Sequence, residues 1–234
     1  MAIQRLKNFL NIQSQRKADK HSGSIIRNYI QLGSMCNSVQ LLDCFRATKN
    51  LVLVFPKWHP LTVQRDELFQ FKYLETRTIA KISIAICKFL QHLHSANLAH
   101  CDIKPPNILC KKSILDDNQN ELEIDDFCVC DFDDVKQIGT MEWRIFGTAG
   151  FTHPNVDFMK ENGSRQRMFE LEILPYLDIY SLGATVNWFL QFVTRDSALE
   201  EHQALMIIAS RLMEVDEVTP INISATIKEF EAFC

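Results

Sequence analysis

Two stretches of this chain hold residue types that can do chemistry together. One is His100-Cys101-Asp102-Ile103-Lys104-Pro105-Pro106-Asn107; the other is Asp131-Phe132-Asp133, which follows the apolar run Phe127-Cys128-Val129-Cys130. A single aspartate on a loop is ordinarily a solvated carboxylate. The set is more specific. An Asp, a Lys two positions on, an Asn five positions on and a second Asp after a strand combine a proton acceptor, a cation and oxygen donors. Phosphoryl transfer asks for those parts: an acceptor for the hydroxyl proton, oxygen ligands for hard Mg2+, and positive charge against the transferred phosphate.

Such a constellation works only if rigid elements hold it. Upstream, Ile79, Ile82, Ile86, Phe89 and Leu93 recur at spacings of three and four, which predicts a helix over residues 75–94 with one apolar stripe. The loop 100–107 follows, carrying two adjacent prolines. Residues 109–110 and 122–131 read as a strand pair joined by a polar, acidic connection at 116–120, and residues 134–168 as irregular. Two further helices are predicted, over 178–192, nearly all apolar, and over 204–213. Ahead of the long helix, a short helix over 23–32 precedes strand-like runs at 39–45 and 50–55 around a turn at 46–49. Residues 1–6 alternate apolar and polar like one more strand. Pro56 and Pro60 bracket Lys57-Trp58-His59 and mark the expected hinge. Strands, a hinge, then mostly helices make an α+β layout in two unequal lobes.

Composition narrows the function classes. The 234 residues are 47% apolar and 23% charged with a formal net charge of −4, an ordinary balance for a globular chain. It gives no reason to expect nucleic acid as a partner, and no window reaches the roughly 18 apolar residues of a membrane span. Glycine is scarce, at 7 where average usage would give about sixteen. There is no Gly-x-Gly pair and no Gly-Lys-Ser/Thr loop, which excludes a dinucleotide fingerprint and a phosphate loop. The 8 cysteines include no Cys-x-x-Cys pair, and a chain this long needs no staples. Buried thiols and a reducing intracellular compartment, cytoplasmic or nuclear, are expected. Nothing in the sequence speaks to oligomeric state.

At these residues the sequence resembles the eukaryotic protein kinases, whose catalytic loop reads His-Arg-Asp-Leu-Lys-Pro-x-Asn and whose metal motif reads Asp-Phe-Gly. The resemblance spreads outward from the loop. Ser38-Val39-Gln40-Leu41-Leu42-Asp43 and Leu51-Val52-Leu53-Val54-Phe55 look like the strands leading to the hinge, and Leu90-Gln91-His92-Leu93-His94-Ser95 like the end of the helix before the catalytic loop. Gly147-Thr148-Ala149-Gly150-Phe151-Thr152-His153-Pro154 looks like the substrate-side end of the activation segment. Asp178-Ile179-Tyr180-Ser181-Leu182-Gly183 looks like the start of the buried helix of the large lobe. The resemblance implies a protein-kinase-like two-lobe fold, with a small, incomplete, β-rich N-lobe over residues 1–57 and a mainly helical C-lobe over 58–234. It implies ATP and Mg2+ as cofactors and a protein substrate or kinase partner. Residue by residue, it makes Asp102 the catalytic base and sets Lys104 against the transferred phosphate, as in enzymes with Ser/Thr acceptors. It makes Asn107 and Asp131 the cofactor and metal ligands and puts Thr148 in the substrate groove. His100 and Asp178 become structural residues, with Asp178 holding the catalytic-loop backbone.

The departures carry information too. Gln4 stands where the resemblance puts an ATP-orienting lysine, no glycine loop precedes it, and Ile26 and Arg27 stand near the position of that lysine's glutamate partner. An amide against phosphates forfeits a charge-assisted bond, so weak nucleotide affinity is expected. Asp133 replaces the motif glycine and adds a carboxylate beside Asp131, able to share a cation or to strain the site. Cys101 replaces the arginine that pairs with a phosphorylated activation segment. A nucleophilic Cys101 beside His100 is disfavoured, because adjacent residues rarely face one another. His153-Pro154-Asn155 replaces Ala-Pro-Glu, and the arginine that binds this glutamate has no counterpart around residues 217–223. Losing both partners of a buried ion pair can be near neutral, so the large lobe still folds. The leading expectation is a Ser/Thr protein kinase weakened by its incomplete N-lobe. One alternative is a pseudokinase serving as scaffold or decoy. The other is a small-molecule kinase, favoured by Asp131-Phe132-Asp133-Asp134 and disfavoured by Lys104-Pro105 and the segment 147–154.

Overall fold

The computed structural model describes residues 20–47, 50–61, 64–65, 68–69, 74–112, 122–142, 146–156, 171–193, 199–216 and 221–234. The expected strand at 1–6 with Gln4, and the acidic connection at 116–120, lie outside the described residues. The long helix, α2 (Thr76–Ser95), is the centre of the packing. Its stripe residues Ile79, Ile82, Ile86, Phe89 and Leu93 are all fully buried, and so are Ile84, Cys87 and Leu90. Burial therefore extends well beyond one stripe. The final helix α5 (Ile223–Glu231), the helix α3 (Pro175–Leu190) and the site's strands all pack around α2. Even Lys81 is enclosed, its Nζ donating to the Leu122 carbonyl.

Helix α3 starts at Pro175, earlier than the expected 178, because proline at the first helical position gives up a donor that has no intrahelical partner. Asp178 thereby falls in its first turn. Helix α4 (Leu199–Met213) likewise starts early, with Glu200 and Glu201 opposite the positive helix end. Gly183 of α3 sits 2.8 Å, measured from where a Cβ would stand, from the Ala209 carbonyl oxygen of α4, so the two helices meet through it. Helix α5, absent from the sequence expectations, is capped by Asn222, whose side chain accepts from the Ala225 N–H at 3.2 Å.

Before α2, the helix α1 (Lys20–Leu32) is followed by the antiparallel hairpin β1 (Asp43–Ala47) and β2 (Asn50–Val54), in register from Asp43 opposite Val54 to Ala47 opposite Asn50. The expected strand at 39–45 is displaced because residues 37–39 dock elsewhere. Val39 N–H donates to Val129 O (3.0 Å) and Val129 N–H to Asn37 O (2.8 Å). Asn37, at a φ of 53°, anchors this junction through Nδ2 bonds to the Ile124 and Phe127 carbonyls. The expected hinge is partly a strand. β3 (His59–Pro60) pairs with β7 (Ile108–Cys110), which pairs with β8 (Phe127–Val129), giving the sheet order β3-β7-β8. Pro60 is tolerated there because β3 is an edge. Short pairs β4 (Gln64–Arg65) with β5 (Leu68–Phe69), β6 (Leu98–Ala99) with β9 (Lys136–Gln137), and β10 (Met141–Glu142) with β11 (Leu171–Glu172) complete the described strands. The last two pairs lend regularity to residues expected to be irregular.

Cys44, Cys87, Cys101, Cys110 and Cys128 are buried, Cys36 and Cys130 half-buried and Cys234 exposed, all as free thiols. No helix among the described residues is long and apolar enough to cross a membrane.

Candidate active site

The loop between β6 and β7 is fixed from behind. Fully buried Asp178 accepts from the main-chain N–H of His100 (2.8 Å) and of Cys101 (2.8 Å), and from His94 Nε2 (2.9 Å). Burial pushes the Asp178 carboxyl upward, but the hydrogen bond and charge of His94 and the Cys101 N–H outweigh it and hold it below the usual carboxylate range. This grip stabilises an uncommon backbone: Cys101 has a φ of 67°. His100 and Asp102, on either side of it, are both buried.

His100 is neutral, and its tautomer follows from its bonds. The Asp102 N–H donates to Nδ1 at 3.2 Å, so that nitrogen carries no proton, and Nε2–H donates to the Cys130 carbonyl at 3.2 Å. Burial pushes the imidazole below its usual range against the pull of Asp178 and the Cys130 carbonyl. Its ring meets Phe132 and Phe89 edge-on, each at 5.9 Å, and those two phenyl rings stack at 5.9 Å and 12°. Tyr29 of α1 continues the column 4.8 Å from Phe132 and meets Phe55 at 4.9 Å. Asn28 Nδ2 donates to the Phe132 carbonyl at 2.9 Å. The middle residue of Asp131-Phe132-Asp133 is thus the join between α1 and the rest of the core.

Asp102, Lys104 and Thr148 form a closed set. Lys104 Nζ donates to Asp102 Oδ2 (2.7 Å) and to Thr148 Oγ1 (2.8 Å), and Thr148 Oγ1 donates to Asp102 Oδ1 (2.8 Å). Asn107 Nδ2 donates to the Asp102 carbonyl (2.9 Å) and to Oδ2 (3.3 Å), leaving Asn107 Oδ1 outside these bonds. The Cys130 N–H donates to the Asn107 carbonyl at 2.9 Å, which sets Asp131 one residue beyond Asn107's own strand partner. Asp131 has a φ of 66°, so the chain turns sharply at the carboxylate. Gly147 takes φ 69°, and a Cβ there would lie 2.4 Å from Thr152 Cγ2 and 2.7 Å from the Cys101 carbonyl, so glycine is required for Thr148 to approach the loop.

The seven candidate site residues therefore fall in one neighbourhood: Lys104, Asn107 and Thr148 each bonded to Asp102, Asp131 next to Cys130 whose N–H meets the Asn107 carbonyl, and Asp178 holding the His100 N–H. Asp133 is exposed. Cys101 is buried, and burial and the Asp178 charge raise its thiol well above its ordinary range, which leaves it inert as a nucleophile. His94 was missed. A histidine in the last turn of a helix fits the negative helix end, but nothing in one sequence pairs residue 94 with residue 178. Where the Ala-Pro-Glu pattern is lost, His153 packs edge-on against Tyr176 (4.9 Å) and Tyr180 (5.1 Å).

The protein kinase domain family model matches residues 7–232. The chain belongs to the protein kinase family. Among curated relatives, it is 32% identical over 203 residues to myosin light chain kinase 3 of Danio rerio, covering 83% of this chain and 25% of that protein. It is 30% identical over 177 residues to ribosomal protein S6 kinase 2 alpha of Gallus gallus (74% and 21%). It is 28% identical over 152 residues to the serine/threonine-protein kinase shk2 of Schizosaccharomyces pombe (64% and 22%). The chain spans a quarter or less of the length of these relatives. Against the kinase motifs quoted above, the chain has Cys101 in the loop 100–107, Asp133 after Phe132, and an α1 helix, Lys20–Leu32, with no acidic residue.

Proposed function

We propose that this chain is a Ser/Thr-type protein kinase that moves the γ-phosphate of ATP to a hydroxyl of a protein substrate, with Mg2+, in an intracellular compartment. The observation that carries the reading is the Asp102–Lys104–Thr148 set. Asp102 Oδ1 already accepts a hydrogen bond from a hydroxyl, at 2.8 Å, which is the contact a general base needs with an acceptor hydroxyl. Lys104 Nζ lies against both the carboxylate and that hydroxyl oxygen, so a positive charge flanks the position where negative charge would develop. Asn107 and Asp131 suit Mg2+ by donor chemistry, being an amide oxygen and a carboxylate held together by the Cys130–Asn107 main-chain bond. When bound, Mg2+-ATP supplies the phosphoryl group and shields its charge. The chain's residues orient the hydroxyl, accept its proton at Asp102 and hold the loop in shape through Asp178.

A second reading, a pseudokinase that binds a partner as scaffold or decoy, is favoured by one observation: α1 offers no carboxylate to pair with a nucleotide-orienting lysine. Thermal unfolding separates the two. With millimolar Mg2+-ATP the melting temperature rises, and Asp131→Asn abolishes the rise. Absence of any shift in the unaltered chain removes the enzyme reading and leaves the scaffold. Radiolabelled phosphate transfer is expected to fall by about 100-fold or more in Asp102→Asn, and transfer that persists displaces Asp102 as the base.

A further inference from the structure

Cys101 leaves the catalytic loop without a guanidinium to receive a phosphorylated activation segment, yet the segment after Asp131 is organised around charge of its own. β9 lies against β6 with Lys136 opposite Ala99, two residues before Cys101. From there Lys136 Nζ meets Glu142 Oε2 at 2.8 Å, with the two side chains only 19% and 18% exposed. The same Nζ stands 5.4 Å from the centroid of the Phe146 ring, and Phe146 is buried. Glu142 belongs to β10, opposite Leu171 of β11. The Gly139 N–H donates to Ile173 O (2.8 Å) and the Ile173 N–H to Thr140 O (2.9 Å), so this corner is tied to the chain entering α3. On its other side, Phe146 leads directly to Gly147, packed on the Cys101 carbonyl, and to Thr148, bonded to Asp102.

We infer that the Lys136–Glu142 ion pair fixes the segment around β9 and β10 against the loop 100–107, with a carboxylate in the part a phosphate could play, making Glu142 a positioning residue. This rests on the kinase reading above. A phosphorylated side chain orders a segment by giving a nearby cation a strong anionic partner. Here the anion is a genetically encoded carboxylate and the cation comes from the strand beside the catalytic loop. The pair is mostly shielded from water and sits beside an aromatic ring, so it is screened less than a surface pair, and removing Glu142 takes away the carboxylate that faces the half-buried Lys136 charge.

Amide hydrogen exchange on the phosphatase-treated chain, without nucleotide, tests this. Glu142→Gln and Lys136→Met are each expected to speed exchange by about tenfold or more at residues 137–142, 146–148 and 171–173, while α2 and α4 keep their protection. Exchanging the charges, Lys136→Glu with Glu142→Lys, is expected to restore most of that protection. Unchanged exchange in Glu142→Gln overturns the proposal. So does a charge-exchanged chain as mobile as the single variants, which also decides the matter if a single variant loosens α2 by unfolding outright. Since no readout involves nucleotide or phosphate transfer, failure of the kinase reading and failure of this inference give different results.

Discussion

At the scale of single residues, Asp178 joins three donors from two elements at a fully buried position: His94 of α2 and the main-chain N–H groups of His100 and Cys101. Truncation to Asp178→Ala leaves those donors without an acceptor, and a loss of about 3–5 kcal/mol is expected in urea unfolding. Stability should also depend on pH with a definite sign. The Asp178 carboxyl is held below its unfolded value, so its contribution is complete above about pH 3.9 and is lost as pH falls through the lower folded value. His100 is likewise depressed in the fold and stays neutral, so its contribution is complete above about pH 6.5 and declines below it, as the unfolded chain binds the proton first. Unfolding free energy measured from pH 8 to pH 3 is expected to fall in both windows, with the upper decline missing in His100→Gln. The role of Asp178 was legible from sequence only through its place in Asp178-Ile179-Tyr180-Ser181-Leu182-Gly183. The partner His94 was not, because a contact across 84 positions leaves no periodic trace.

At the scale of elements, the apolar periodicity of α2 was readable because that helix buries its stripe completely. The ends of α3 and α4 were not, since proline and acidic residues open a helix as readily as they open a loop. The strand expected at 39–45 was misplaced because main-chain bonds to Val129 took its first residues, a competition that alternation of side chains cannot reveal. Packing between α3 and α4 rests on Gly183. A methyl group there would stand 2.8 Å from both the Ala209 carbonyl oxygen and Leu212 Cβ, so Gly183→Ala must push the helices apart. A destabilisation of about 1–3 kcal/mol is expected, read from the midpoint of chemical unfolding with an unchanged slope.

At the scale of the whole molecule, the aromatic column from Phe55 through Tyr29 and Phe132 to Phe89 joins the hairpin and α1 to α2. Phe132→Ala removes the fully buried member in the middle. It is expected to cost about 3–5 kcal/mol and to loosen α1 more than α4 in amide exchange. The α+β order was legible from the succession of patterns, and the nearness of the candidate residues from their spacing, but the column was not, since its rings come from separate stretches of the chain. The grip of Asp178 has one more consequence. It holds main-chain amides, and an amide is the same whatever side chain it bears. The anchor is therefore blind to the identity of residue 101, where the left-handed backbone and the lack of space do the screening instead. A loop fastened in this way keeps the shape on which its chemistry depends when residue 101 changes to another side chain that fits the same space.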